Sequence, residues 1–287
     1  MLPRMERKKR VGIVGAGRLG SALATSLHDA GFIIDAIVAR TQSKSRKKAA
    51  ALAQLVGART IVEITEMWAD VVWFCVPDSD IASAAAALAN KIPWQGKIAL
   101  HSSGALTSDE LSSLRSRGAA VASVHPLMTF VEASRPGLAG VAFAVEGDSQ
   151  AVRVARKMVR QLRGRAYSIR KQDKAAYHAW GTFASPLLTA LLATTEQVAR
   201  LAGVQGTEAR RRMIPILSQT LANYAELGAA RGFSGPIIRG DVEIVKRHLH
   251  VLHASPAAME VYVALARAAV HYLPARNIAA LRRLLKR

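Results

Sequence analysis

The 287-residue chain is poor in cysteine, in aromatic residues and in uninterrupted apolar runs. Its single cysteine, Cys75, cannot build an internal disulfide framework of the kind that small secreted domains need. The longest apolar stretch, residues 175–194, is interrupted by His178, Trp180 and Pro186, which favours a buried helix over a membrane span. The basic N-terminal segment runs straight into a strand pattern and lacks the apolar core of a signal peptide. These absences predict a cytoplasmic protein without a membrane partner.

Acidic side chains are scarce as well, since 20 Asp and Glu stand against 40 Lys and Arg and give a formal net charge of +20. A charge of this size makes nucleic acid the first alternative partner to consider. However, the excess divides evenly between the two halves of the chain, and its densest group repeats at helical spacing with no interleaved aromatic residues. That group comprises Arg153, Arg156, Lys157, Arg160 and Arg163. We interpret the charge as a solvated basic surface and hold nucleic-acid binding as the less favoured alternative.

Up to about residue 168 the chain alternates short β-branched runs with amphipathic stretches, which predicts a doubly wound, mostly parallel α/β sheet. The predicted strands span residues 11–14, 33–39, 60–62, 71–76, 98–101, 121–124, 141–145 and 166–169. The predicted helices span residues 19–30, 43–55, 79–89, 108–115 and 149–162. Beyond this point only helical periods follow, which predicts an all-helical second domain of about five helices. We place the domain boundary between residues 169 and 170.

The strongest local motif is the glycine pattern that follows the first predicted strand and opens an amphipathic helix. It reads Gly15-Ala16-Gly17-Arg18-Leu19-Gly20. Gly15 allows a tight turn, Gly17 lets the backbone approach a pyrophosphate, and Gly20 lets the helix pack closely on the strand. The amides that open this helix would face the phosphates. The motif predicts a Rossmann domain that binds a dinucleotide, the alternative being a glycine-rich turn of another α/β fold.

The end of the second predicted strand indicates which dinucleotide binds. An NAD site has an acidic residue about twenty positions after the glycine motif, where it holds the ribose hydroxyls. This chain has Arg40 there, followed by Thr41, Ser43, Lys44 and Arg46, whereas Asp35 comes too early in the strand. A guanidinium group can bind a 2′-phosphate through two hydrogen bonds. We therefore predict NADP(H) as the cofactor, the alternative being a solvated loop in a basic protein.

Three further segments follow strands at the edge of the sheet where ligands of this fold bind. Val76-Pro77-Asp78 should border the nicotinamide ribose. His101, Ser102 and Ser103 come after the next strand and His125 after another, so histidines and hydroxyls converge on the predicted nicotinamide position. We predict catalytic roles for the first three and substrate binding for His125. For each histidine, a structural hydrogen bond to a loop is the alternative.

The helical region adds Lys174 and His178, which are four residues apart and therefore project from one helix face. Reduction of a carbonyl or imine needs a proton donor beside the hydride acceptor, and a partly buried lysine or a histidine can serve. We predict catalytic roles for both. The alternative is a helix that begins with a solvated lysine and buries its histidine in the core.

A later turn offers residues for an acidic substrate. Arg239 could hold a substrate carboxylate, and Asp241 could orient that arginine or cap the next helix.

Three histidines, His248, His250 and His253, raise the question of a metal. Helical spacing separates the first from the other two, and no acid or cysteine joins them, so we expect no metal site.

The order of these motifs resembles one known family. The glycine motif is followed by His101-Ser-Ser-Gly-Ala-Leu106, His125-Pro-Leu-Met-Thr-Phe130, Tyr177-His178 and Gly235-Pro-Ile-Ile-Arg-Gly-Asp241. From about Arg10 to Leu281 the chain resembles the bacterial Rossmann-like NADP oxidoreductases that carry a C-terminal domain of unknown function. Their architecture is similar to that of deazaflavin-dependent NADP oxidoreductases, pyrroline-carboxylate and ketopantoate reductases, and the 6-phosphogluconate dehydrogenase superfamily.

The resemblance implies a homodimer that shares helices of the second domain. It also implies that a lysine and a polar side chain four residues later lie beside the nicotinamide, a spacing that Lys174 and His178 match.

The chain departs from the family at two places. Ser185-Pro186 stands where the family has Ser-Asn, which removes an amide side chain and predicts a helix kink. Ile244-Val245 stands where the family has Thr-Val.

These observations predict an NADPH-dependent reductase of a small, carboxylate-bearing carbonyl or imine compound. In this hypothesis Lys174 or His178 protonates the product, Ser102 and Ser103 polarise the reacting group, and Arg239 anchors the acidic tail. A non-catalytic NADP(H)-binding regulatory or interaction protein is the main alternative. A deazaflavin in place of an organic substrate also stays open.

Overall fold

The computed structural model describes residues 9–40, 42–62, 67–132 and 136–286. The chain divides into two compact units, Met1–Thr182 and Phe183–Arg287, which we call the sheet unit and the helical unit. Residues 174–182, assigned to the second domain by sequence, lie in the sheet unit. The domain boundary at residues 169 and 170 stays a prediction.

The sheet unit is built on an eight-stranded sheet of order β3-β2-β1-β4-β5-β6-β7-β8. Neighbouring strands are parallel except for β6 and β7, which are antiparallel. The strands are β1 (Arg10–Val14), β2 (Ile33–Val38), β3 (Arg59–Ile61), β4 (Val71–Phe74), β5 (Ile98–His101), β6 (Ala120–Pro126), β7 (Ala142–Gly147) and β8 (Arg165–Ser168). The chain crosses from β3 back over β1 to β4, so the strand order reverses between β1 and β4. The carboxyl ends of these two strands are where a doubly wound sheet opens a ligand crevice.

Helices cover both faces of this sheet, as the β-branched, doubly buried strands require. They are α1 (Arg18–Asp29), α2 (Ser43–Leu55), α3 (Ile81–Ala89), α4 (Ser112–Arg115), α5 (Ser149–Gln161) and α6 (Lys174–Thr182). One apolar cluster joins α1, α2 and α5 to the strands, and a second joins α3 and α4 to the opposite face. Trp73 of β4 is fully buried in the first cluster and Trp94 lies in the second. The predicted fold class, a mostly parallel Rossmann sheet followed by a helical region, is confirmed.

Two predicted elements differ from the structure in ways that bear on the site. The helix predicted over residues 108–115 begins as the 3-10 turn Ser108–Leu111 and becomes α-helical only in α4, because the Thr107 side chain accepts a hydrogen bond from the Asp109 amide. Strand β6 continues two residues beyond its predicted end, because it pairs with β7 as far as Pro126. His125 therefore lies inside a strand, opposite Ala144, and not in the loop after it.

The helical unit contains α7 (Leu188–Leu201), α8 (Gly206–Gly232), α9 (Pro236–Arg239), α10 (Val242–Leu252), α11 (Pro256–Tyr272) and α12 (Ile278–Leu284). Its small apolar core joins α10, α11 and α12 around Val245, Val270 and Leu281. Helix α8 departs from helical geometry at Gly228. The kink predicted at Pro186 takes the form of a π-helical turn over Phe183–Leu187. Within the described residues, none of the helices combines the length and the apolar character that crossing a bilayer requires.

Candidate cofactor and substrate site

The glycine motif forms a tight connection between β1 and α1, which we call the phosphate loop (residues 15–20). Gly15 has a φ of 103°, in the region that favours glycine, and a side chain there would come within 2.8 Å of the Cys75 carbonyl oxygen. A Cβ atom at Gly20 would lie 2.0 Å from the Gly15 carbonyl oxygen. Gly17 is the N-cap of α1, and no side chain caps it. The first amides of α1 are therefore available to an anion.

A cavity of about 1050 Å³ opens beside the phosphate loop. Its lining includes Gly15, Ala16, Gly17, Arg40, Val76 and Pro77, all predicted as cofactor-binding residues. Apolar side chains of β2 and α3, among them Val38, Ala84 and Leu88, also line it. A volume of this size, closed at one end by a backbone that excludes a Cβ atom, fits a dinucleotide. The predicted residues Arg18, Leu19, Gly20, Ser43 and Asp78 lie outside this lining, and Thr41 lies outside the described residues.

The cavity is strongly basic at the end of β2. Besides Arg40 it is lined by Lys44, Lys48 and Lys91, with Asp80 as the acidic residue in the lining. The sequence motif groups Arg40 with Thr41, Ser43, Lys44 and Arg46 but does not reach Lys48 or Lys91. Helical spacing could have added Lys48, which lies four residues after Lys44 on α2. A cluster of cations at this place suits a 2′-phosphate.

Two ion pairs hold the basic end of the cavity. The Arg40 guanidinium lies 3.2 Å from Asp80, and the Arg40 amide donates a hydrogen bond to the Ser45 hydroxyl. Lys48 pairs with Glu132 at 2.7 Å, which lowers the pKa of that carboxyl together with the nearby Arg18 and Lys44. Both pairs are solvent-exposed, so each contributes little to stability.

Three predicted catalytic residues lie at the end of β5 and directly after it, and their polar atoms make contacts within the fold. His101 is fully buried; its Nδ1 accepts from the Ser103 amide, so its Nε2 donates to the Thr107 carbonyl. Burial lowers the pKa of His101 to about 4. The Ser102 hydroxyl accepts from the Trp73 indole at 2.8 Å. The Ser103 hydroxyl donates to Asp78 at 2.7 Å and so joins the loops after β4 and β5.

Lys174, on the first turn of α6, is fully buried. Its Nζ donates to the Ser103 carbonyl at 3.0 Å and to the Ser123 hydroxyl at 2.7 Å. Burial lowers the pKa of Lys174 to about 8, against the attraction of Glu146 and Asp78. The alternative drawn from the sequence, a solvated lysine beside a core histidine, is reversed, because His178 is the exposed member of the pair.

His125 and His178 meet over Gly104, and with Tyr177 and Lys174 they form what we call the histidine pocket. His125 Nδ1 lies 2.7 Å from the Tyr177 hydroxyl. The rings of His125 and His178 pack edge to face with centroids 6.2 Å apart. A side chain at Gly104 would come within 2.7 Å of His178 and 2.9 Å of His125 Nε2. Only a glycine lets the segment after β5 approach both histidines. Tyr177 was not among the predicted site residues, because its contact lies 52 positions away in the chain.

The remaining predicted residues lie in the helical unit. Asp241 is the N-cap of α10 and accepts from the Ile244 amide, the capping role that the sequence left open. Arg239 is exposed at the end of α9. His248 contacts the Tyr262 hydroxyl at 3.0 Å. Among the described residues, no three His, Cys, Asp or Glu side chains are grouped so that they could hold a metal ion.

Family models match both halves of the chain. A Rossmann-like domain model matches residues 4–126, and the model of a domain of unknown function, DUF2520, matches residues 141–269. The chain is thus a Rossmann-type α/β protein with a helical C-terminal region. More particularly, it joins a Rossmann-like domain to a DUF2520 domain, the combination that the order of motifs predicted. No curated protein matches the chain.

Solved structures share the fold at low sequence identity. A Bacteroides fragilis protein described as a candidate NADP oxidoreductase is 20% identical, with a TM-score of 0.76 over 91% of this chain and 97% of its own. A reductive aminase from Aspergillus terreus, in complex with NADPH and ethyl-5-oxohexanoate, is 17% identical, with a TM-score of 0.66 over 96% and 98%. A pyrroline-5-carboxylate reductase from Coxiella burnetii is 13% identical, with a TM-score of 0.58 over 98% and 100%. At these identities the likeness establishes the fold.

Proposed function

We propose that the protein is an NADP(H)-dependent oxidoreductase that transfers a hydride between the nicotinamide and a small carbonyl or imine compound. The observation that carries the proposal is the basic cavity beside the phosphate loop, where Arg40, Lys44 and Lys48 surround the end of β2. The names of the solved relatives, an NADP oxidoreductase and two reductases, support the same class of reaction.

The cavity residues fit the cofactor. The phosphate loop would bind the pyrophosphate through its backbone, because Gly15 and Gly20 leave no space for side chains. Arg40 and the two lysines would bind the 2′-phosphate, and Val76 and Pro77 would border the nicotinamide half. Bound NADPH supplies a hydride to an electrophilic carbon.

Within the histidine pocket, we assign different tasks to the two basic residues of α6. Lys174 is fully buried and both of its contacts are internal, so it acts through its positive charge and through the Ser103 segment that it holds. His178 is exposed beside His125, where it can exchange protons with solvent and deliver one to the reduced substrate. Arg239 as the anchor of a substrate carboxylate stays a prediction from the sequence.

We also propose a homodimer through the helical unit. Helix α8 buries only Ala209 among its 27 residues, all of them described. Its surface exposes Ile214, Ile216, Leu221 and Tyr224. Large apolar side chains exposed along one helix are typical of an interaction surface.

The enzymatic proposal is tested by following oxidation of NADPH with a panel of ketones, keto acids, imines and a deazaflavin. The variant His178→Ala should lower turnover of any accepted substrate about 100-fold while it leaves NADPH affinity unchanged. His253→Ala, which removes an exposed histidine of the helical unit, is the matched control and should keep full activity. A different result would favour a non-catalytic NADP(H)-binding regulator. In that case the protein would bind NADPH but turn over no member of the panel, and Lys174→Ala and His101→Ala would bind NADPH as the wild type does.

A further inference from the structure

A buried tyrosine faces the histidine at the centre of the pocket. Tyr177, on α6, is 7% exposed, and its hydroxyl lies 2.7 Å from Nδ1 of His125 on β6. The two rings meet edge to face with an interplanar angle of 86°. This contact fixes one ring nitrogen of His125 and leaves the other to face the pocket.

The chemistry of the two groups sets the direction of this hydrogen bond. A phenol O–H is a stronger donor than an imidazole N–H, and an imidazole nitrogen is a stronger acceptor than a phenol oxygen. A buried hydroxyl proton also needs an acceptor, and Nδ1 is within reach. Burial raises the pKa of Tyr177, so its hydroxyl keeps the proton that it donates. Nδ1 is therefore the acceptor, and the single proton of a neutral His125 lies on Nε2.

The surroundings keep His125 neutral. Lys174 and His178 face it from α6, His101 from β5 and Asp78 from the turn after β4. Burial and the two groups on α6 outweigh the carboxylate and lower the pKa of His125 to about 4. At neutral pH the ring is therefore an N–H donor at Nε2 and not a cation.

Nε2 lies beside Gly104 and is not among the buried side-chain atoms without a partner, so it keeps access to solvent. It lies 2.9 Å from the position that a Cβ atom would take at Gly104, and it has no hydrogen-bond partner among the described residues. From the Tyr177–His125 contact and this open nitrogen, we infer that Tyr177 is a positioning residue that holds His125 protonated at Nε2, aimed at the reacting oxygen or nitrogen of the substrate. The role for the substrate rests on the proposed function. The opposite tautomer would present a lone pair there and would repel the negative charge that develops on a reduced carbonyl.

The tautomer is measured directly by long-range proton–nitrogen NMR of protein labelled in its histidine rings, without cofactor or substrate. The His125 signals are identified by their loss in His125→Gln. We expect wild-type His125 to show a protonated Nε2 and an unprotonated Nδ1. In Tyr177→Phe, which keeps the ring and loses the hydroxyl, the population of the Nδ1-protonated form should rise about fivefold to tenfold. Tyr262→Phe is the matched control, because it removes a tyrosine hydroxyl that contacts a different histidine, His248, in the helical unit.

A protonated Nδ1 in the wild-type protein would overturn the inference, and this result does not depend on the folding of any variant. An unchanged tautomer in folded Tyr177→Phe would overturn it as well. In turnover assays Tyr177→Phe should lower kcat about fivefold to tenfold with unchanged NADPH affinity, and Tyr262→Phe should change neither. If the tautomer is as inferred and NADPH does not bind, the proposed function fails and the assignment of the ring proton stands.

Discussion

The phosphate loop and the histidine pocket belong to the same unit, but the backbone forms the first and side chains form the second. The phosphate loop is six consecutive residues whose backbone amides would bind the pyrophosphate and in which Gly15 and Gly20 leave no space for side chains. The histidine pocket is assembled from side chains of β5, β6 and α6, and Lys174 makes its two hydrogen bonds 71 and 51 positions away in the chain. The first region should therefore be sensitive to added volume, and the second to the loss of polar partners.

The largest effect is expected from adding one methyl group to the phosphate loop. In Gly20→Ala the new Cβ atom would lie 2.0 Å from the Gly15 carbonyl oxygen, so strand and helix must separate. We expect a loss of about 3 kcal/mol in the free energy of unfolding, measured by chemical denaturation, together with loss of NADPH binding. Gly137→Ala is the control, because no heavy atom lies within 4 Å of its Cβ position. Equal stability of the two variants would show that the loop is not tightly packed.

In the histidine pocket, the largest effect is expected from Lys174→Met, which keeps the apolar stem and removes both hydrogen bonds. Two buried acceptors lose their donor, so the free energy of unfolding at pH 7 should fall by about 2 kcal/mol. The pKa of Lys174 is about 8 in the folded protein against 10.5 ordinarily. Between these values the unfolded chain holds the extra proton, so wild-type stability relative to the variant should rise with pH from about 8 to 10.5. A constant difference over this range would contradict a buried, desolvated lysine.

A smaller effect is expected at His101, whose ring nitrogens both bind the fold. His101→Gln should lower the free energy of unfolding by about 1 kcal/mol at pH 7. Burial lowers the pKa of His101 from 6.5 to about 4, so the unfolded chain binds the extra proton between these values. The contribution of His101 to the free energy of unfolding is therefore complete above pH 6.5 and is lost as pH falls towards 4. When the free energy of unfolding is measured at decreasing pH, the variant should lose less stability than the wild type. Parallel curves for the two proteins would contradict a pKa of His101 that is lowered by burial.

The same contrast explains how much the sequence predicts. The phosphate loop, the strands and the helices of the sheet follow from local patterns, because glycine spacing and apolar periodicity act over a few residues. The sequence also places His101 and His125 at one edge of the sheet, and the family resemblance puts Lys174 beside the nicotinamide. It does not reveal that Lys174 is buried and His178 exposed, since helical spacing gives their shared face but not the depth of each residue. Nor does it reveal the partner of Tyr177, because that contact depends on how β6 and α6 pack together.

The central claim is that the basic cavity binds NADP(H). It is tested most directly by titrating the purified protein with NADPH and with NADH and following nicotinamide fluorescence. We expect NADPH to bind more tightly than NADH, and Arg40→Ala to reduce this preference about tenfold. Arg46→Ala, which removes an exposed arginine of α2 outside the cavity lining, should leave it unchanged. Equal affinity for the two nucleotides would contradict the 2′-phosphate assignment, and no binding of either would contradict the oxidoreductase itself.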